Sequence, residues 1–186
     1  MDLEQLTTSR RTVHNYLTEK VADDLVHKAL QLSLYAPNHK LTYPWVFIDI
    51  GPAAREKLGE LSIELKSAKA SSPLSPVKQQ ALRDNVLKPS HLIALGIRRD
   101  PDSHRLHEDY ATLACSVQIA SLYLWQNGVA SKWSTGGYSM HEKTYEILGV
   151  NPLEVSLEGC LMIGKAEVMP TAPQRPALEK HLHRVP

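Results

Sequence analysis

Hydrophobic and polar positions along the chain fall into blocks whose period switches between helical and extended. Residues 2–9 predict a short helix and residues 21–35 a longer one, with Val21, Leu25, Ala29 and Leu32 on one face. Pro37 and Pro44 bracket a polar loop at 36–44 that cannot be helical. It runs straight into the apolar stretch 45–50, a predicted buried strand closed by Gly51-Pro52. Pro52 then opens a charged helix that reaches about residue 70. The stretch Ser71-Ser72-Pro73-Leu74-Ser75-Pro76 is too short to divide domains and reads as a surface excursion. A polar helix follows to about residue 87, and residues 91–97 form a second apolar strand.

The block from about 106 to 127 differs in kind. Leu106, Tyr110, Leu113, Val117, Ala120 and Leu124 make one helical face, while Ile119, Leu122, Tyr123 and Trp125 occupy others. A helix that is apolar nearly all round needs cover nearly all round. A chain of this length with a small sheet can hardly supply it alone, which predicts an obligate homodimer core; the alternative is the central helix of a monomer. Gly128 stops this helix, and 129–135 reads as a strand ending at Gly136-Gly137. Ser139-Met140-His141-Glu142 has the capping-box pattern, which starts a helix running to about 148, and 155–163 is the last strand. The segment 165–186 holds four of the twelve prolines and predicts an extended arm over a partner surface. Irregularly interleaved helices and strands, without a strand-Gly-x-Gly-x-x-Gly-helix unit, point to an α+β layer structure with no doubly wound dinucleotide fold.

At 186 residues the chain fits one domain, 1–186, with 42% apolar and 22% charged residues. Twenty-one basic against 20 acidic residues give a formal charge of +1, so nothing in the overall balance favours nucleic acid or an anionic membrane as partner. Any phosphate site must be local. Met1-Asp2-Leu3-Glu4 has neither a basic region nor an apolar run, and no stretch approaches a membrane span, which predicts a soluble, cytoplasmic protein. Cys115 and Cys160 lie in apolar surroundings and read as buried free thiols. The histidine pairs His104 with His107 and His181 with His183 fit no metal-ligand frame, so no metal site is expected.

Two segments carry the chemistry. Arg10-Arg11-Thr12-Val13-His14-Asn15-Tyr16 concentrates two guanidinium groups and a hydroxyl, which suits a phosphate dianion, although a solvated basic turn has the same composition. Ala36-Pro37-Asn38-His39-Lys40-Leu41-Thr42-Tyr43-Pro44-Trp45 holds a polar loop beside a strand. With Trp133-Ser134-Thr135-Gly136 after the long apolar helix, their order and spacing resemble the flavin-dependent nitroreductase family, and its small, minimal members most of all.

That resemblance covers about residues 6–175 and implies an intertwined homodimer with a central, mainly antiparallel sheet flanked by helices. It implies that Arg10 and Thr12 meet the phosphate and ribityl chain of FMN, with Arg11 close by, and that Pro37, Asn38, His39 and Lys40 approach the same flavin from the other subunit. His14 stands where the family usually has Arg or Lys, which lowers the positive charge beside the flavin. Trp133, Ser134, Thr135 and Gly136 would lie along the ring, Gly136 letting the backbone come close; read without the family, the same residues are a plain turn. Arg175, and less plausibly Lys165, are candidates for a second basic contact to the phosphate. No catalytic side chain is needed, because the flavin itself accepts and passes on the electrons. The implied activity is hydride uptake from NADPH or NADH and reduction of a nitroaromatic, quinone or similar small-molecule acceptor. A flavin-binding or flavin-storing module with little turnover is the alternative, and a structural dimer without flavin a third.

Overall fold

The computed structural model describes residues 1–185. Its centre is an antiparallel sheet of four strands: β1 (Trp45–Asp49), β2 (His91–Arg98), β3 (Ala130–Ser134) and β4 (Val155–Gly164), in the order β1-β2-β4-β3. Six helices surround it: α1 (Leu3–Ser9), α2 (Asp23–Ser33), α3 (Pro52–Ala68), α4 (Pro76–Leu87), α5 (Ser103–Gln126) and α6 (Glu142–Leu148). The α+β fold with a central antiparallel sheet is therefore as expected.

The period-2 alternation of β2 feeds two cores. Leu92 and Ala94 join Leu58, Leu61 and Val86 beneath α3 and α4, while Ile93, Leu95 and Ile97 join Val26, Ala29, Leu113, Val117 and Leu124 beneath α2 and α5. In β4 the alternation breaks. Leu157 and Cys160 are three apart yet face the same core, because the register slips between Leu95 and Gly96. Leu95 pairs with Gly159 and Gly96 with Leu157, so Glu158 bulges out and both ends of β4 keep their apolar faces inward. Gly159 makes this feasible: its φ is +121°, and a Cβ there would fall on the Ser134 carbonyl oxygen and lie 2.8 Å from Trp133 Nε1.

Four local readings need correction. β1 is an edge strand, only half-buried, because β2 covers one of its sides and, among the described residues, no strand pairs with the other. On α2 the buried positions are Val26, Ala29 and Ser33, whereas Leu25 and Leu32 are half-buried, so the stripe is turned from the one predicted. Ser139 does not cap α6; its hydroxyl is buried and donates to the carbonyls of Ser134 and Gly136 at 3.2 and 3.0 Å. His141 caps instead, its Nδ1 accepting from the Lys143 amide at 3.2 Å. Cys160 is buried and its thiol pKa is pushed up to about 12 by that burial, but Cys115 is exposed on α5.

The segment after β4 runs extended and exposed, with one 3₁₀ turn at Leu178–Lys180; Pro186 lies outside the described residues. Among the described residues no helix is long and apolar enough to cross a membrane. Gly159→Ala should cost about 2–4 kcal/mol, since it combines a disallowed φ with a backbone clash at the bulge that sets the parity of β4. Urea unfolding of the two proteins checks it, and an unchanged midpoint would mean that the bulge tolerates a Cβ.

Candidate functional site

The basic N-terminal segment is fastened along the free edge of β3. Thr12 bridges Ser131, the Val13 amide donates to the Ser131 carbonyl at 3.5 Å, and Tyr16 bridges Ala166. The Leu17 amide donates to the Lys165 carbonyl and the Glu167 amide to the Asn15 carbonyl, both at 3.0 Å, so the chain leaving β4 locks the segment from its other side. Upstream, the Trp125 indole donates to Ser9 Oγ at 3.0 Å and ties α1 to the last turns of α5.

This placement gathers Arg10, Arg11 and Arg175. The pKa of Arg10 is lowered, first by burial and then by the charges of Arg11 and Arg175, the signature of guanidinium groups held together without an acid. Arg11 Nη1 donates to the carbonyls of Thr8 and Arg10, at 2.6 and 2.8 Å. Among the described residues none of the three forms an ion pair. Uncompensated charge of this kind fits a phosphate dianion, whose oxygens take two or more guanidinium donors at once.

The 36–44 loop contains a 3₁₀ turn at His39–Leu41, and Lys40, Leu41 and Tyr43 all have positive φ, at 55°, 52° and 47°. Three non-glycine residues in the left-handed region are costly and persist only where surrounding contacts over-determine them. The contacts come from Asn38 and α5. Asn38 Oδ1 accepts from the Tyr43 amide and its Nδ2 donates to Thr42 Oγ1, both at 2.8 Å; Thr42 Oγ1 donates in turn to Asp109 Oδ1 at 2.5 Å. Asp109 is 4% exposed. Beside it, Glu108 accepts from His39 Nδ1 at 2.7 Å, with His104 at 3.4 Å. The Glu108 carboxyl is held below its usual range, chiefly by the His39 hydrogen bond and also by the His39, His104 and Lys40 charges.

Trp133 to Gly136 form the end of β3 and the turn after it. Trp133 Nε1 donates to the Glu158 carbonyl at 2.9 Å, at the bulge, and its ring lies 6.0 Å from that of Tyr110. Nothing lies within 4 Å of where a Cβ would stand on Gly136, so the backbone there is open to a ligand. His14 lines a cavity of about 240 Å³ with Asp84, Asn85, Lys88 and Glu167, Lys88 being paired with Asp84 at 3.1 Å.

The chain thus brings together Arg10, Arg11 and Arg175, and sets Thr12 beside β3, two residues from Trp133. It does not bring Pro37, Asn38, His39 and Lys40 to that cluster. Ser9 is anchored at Trp125 and Asn38 within 3.5 Å of Thr112, thirteen residues or about 20 Å apart along α5. Sequence reasoning missed Thr42, Glu108, Asp109 and the α4 residues around His14. The signal for two of them was visible: Glu108-Asp109 is an acidic pair in the helix that is otherwise the most apolar of the chain.

Known proteins resemble this chain over most of its length. YfhC of Bacillus subtilis (strain 168), described as a candidate NAD(P)H nitroreductase, is 21% identical over 152 residues, 82% of this chain and 78% of its own length. A nitroreductase-like family protein from Bacillus cereus superposes with a TM-score of 0.85 at 24% identity, over 100% of this chain and 96% of that one. The FMN-dependent nitroreductase NfnB of Mycobacterium smegmatis, solved in complex with NADPH, gives 0.75 at 16% identity, over 98% and 97% of the two chains. The sequence profile of the nitroreductase family matches residues 7–165, and the chain belongs to that family.

Proposed function

We propose that the protein is a homodimeric, cytoplasmic FMN oxidoreductase that takes hydride from NADPH or NADH and reduces a nitroaromatic, quinone or related small molecule in alternating half-reactions. The observation that carries this reading is the cluster of Arg10, Arg11 and Arg175, held beside Thr12 without an ion-pair partner among the described residues. When bound, FMN would supply the redox chemistry, accepting hydride and delivering two electrons to the acceptor. The guanidinium groups would hold its phosphate, Thr12 would donate to the ribityl chain, and the backbone from Ser134 to Gly136 would border the ring.

The 20 Å between the two anchors on α5 supports a site made by two chains, in which Asn38, His39 and Lys40 come from the other protomer. Tyr110, Ala111 and Cys115 are exposed along α5, and Ile119 and Leu122 only half-buried, which leaves an apolar side for a second copy. An exposed free thiol also suits a reducing compartment. The strained loop depends on Asp109, a positioning residue that acts on the flavin only through Thr42 and Asn38.

Three outcomes follow. The purified protein should retain FMN through desalting and bleach on anaerobic addition of NADPH or NADH; retained yellow that persists would favour a flavin-storing role, and no retained flavin would remove the reading. Arg10→Ala should weaken FMN binding by about 1.5–3 kcal/mol, roughly 10- to 150-fold, measured by quenching of flavin fluorescence. Asp109→Ala should lower FMN affinity about tenfold. Asp109→Asn, whose amide oxygen still accepts from Thr42, should restore most of that loss, and a failure of this rescue would leave Asp109 with a merely structural role.

A further inference from the structure

The turn that follows β3 is held by one buried hydroxyl. Ser139 is 0% exposed, and its Oγ donates to the carbonyls of Ser134 at 3.2 Å and Gly136 at 3.0 Å, a single proton shared between two acceptors. The Ser134 carbonyl also lies against Gly159 at the β4 bulge, and the Gly136 carbonyl takes the Ser139 amide at 3.4 Å. Both carbonyls are thereby fixed towards the inside of the molecule.

A peptide unit is planar and trans, so fixing its C=O fixes the N–H of the next residue in the opposite direction. Ser139 therefore aims the Thr135 and Gly137 amides away from the core. The strand before the turn agrees with that direction. The Ser131 carbonyl faces the free edge of β3, where the Val13 amide reaches it, and in an extended chain the backbone groups of alternate residues point to the same edge, which brings Thr135 to that edge four residues on. Among the described residues neither amide meets a backbone acceptor. Nothing lies within 4 Å of where a Cβ would stand on Gly136 or Gly137, so a ligand can approach both.

Thr144 supplies the contrast. It is equally buried, and its hydroxyl donates to the Tyr138 carbonyl, which also takes the His141 amide at 3.1 Å. The N–H of that peptide unit belongs to Ser139 and turns back to the Gly136 carbonyl. Both hydroxyls brace one turn, but only Ser139 controls amides that face outward.

We propose that Ser139 is a positioning residue for the redox step: by holding two peptide planes it keeps the Thr135 and Gly137 amides as fixed donors along the flavin edge, where they stabilise the reduced ring. The role rests on the reading that Ser134 to Gly136 border that ring. Donors fixed before the reaction need no reorganisation when charge develops. Without the hydroxyl the two planes are free to turn, and the reduced ring, which carries the greater electron density, loses more than the oxidised one.

Potentiometry of the FMN-loaded protein against reference dyes tests the role, together with amide hydrogen exchange followed by NMR. Ser139→Ala should reduce the preference for reduced over oxidised FMN about tenfold, a flavin potential about 30 mV lower for a two-electron couple. Ser139→Cys, which fills the space with a weak donor, should shift the potential in the same direction. Thr144→Val should lower the thermal midpoint of unfolding and leave the flavin potential at the parent value. In the parent, FMN should slow exchange at Thr135 and Gly137. A parent-like potential in either Ser139 variant, an equal shift in Thr144→Val, or exchange at the two amides that FMN leaves unchanged would each overturn the proposal. A parent that retains no flavin defeats the flavin reading and the role of Ser139 with it; flavin retained at a potential insensitive to Ser139 defeats the role alone.

Discussion

The arrangement of this protein depends on α5, a helix of 24 residues that the small sheet can cover on one side only. Its buried line of Leu113, Val117, Ala120 and Leu124 packs on β2, β4 and α2, and burial of each such side chain is worth roughly 1.5–3 kcal/mol. That line fixes the helix against the sheet. Everything proposed for the site then hangs from its two ends: Trp125 holds Ser9 and the basic segment after it, and Asp109 with Thr112 holds the loop at 36–44. Because the helix is rigid and long, one chain holds the two binding segments far apart. In the proposed dimer, where a second α5 packs on the apolar side of the first, the distance that separates the segments within a chain becomes the means of joining them between chains.

Most of this architecture is legible in the sequence. The turn signals at Pro52 and Gly128 mark element ends within a residue or two, since a proline at a helix start and a glycine at positive φ after one have few alternative uses. What escapes reading is long-range. β1 looks like a buried strand because Trp45 to Ile48 are apolar, but its edge position is a property of strand order, which no local pattern encodes. The bulge at Glu158–Gly159 is equally hidden, as Leu157 and Cys160 violate the period-2 rule only once the facing strand is known. Ser139 carries the right letters for a cap, and loses that role because the preceding 3₁₀ turn buries its hydroxyl against the Ser134 and Gly136 carbonyls.

The candidate site divides along the same line. Arg10, Arg11 and Thr12 are adjacent in sequence, so their joint presentation needs only an extended backbone, which the β3 edge provides. Arg175 is remote in sequence and meets Arg10 through the path of the chain after β4, itself clipped at Lys165 and Glu167. Asp109 is the instructive miss. An acid inside an apolar helix looks like an interruption of the core pattern, yet it is the acceptor at the end of a chain of hydrogen bonds that holds three residues in left-handed backbone. Local strain at 40–43 and a buried acid at 109 are two halves of one device, and only the fold places them together.

Charge placement bears on the proposed phosphate site. The chain as a whole is nearly neutral, and among the described residues Arg83 pairs with Glu60, Arg105 with Asp100 and Lys143 with Glu64. At Arg10, three guanidinium groups lie together with no such partner among the described residues. Folding gains nothing from bringing like charges together, and at Arg10 the guanidinium is partly desolvated as well. Such groups are stabilised only when an anion arrives, so the free energy withheld from folding becomes available to binding. Arg10 and Arg11, planar and half-buried, suit a phosphate held in fixed orientation, with the exposed Arg175 closing on it from the chain after β4.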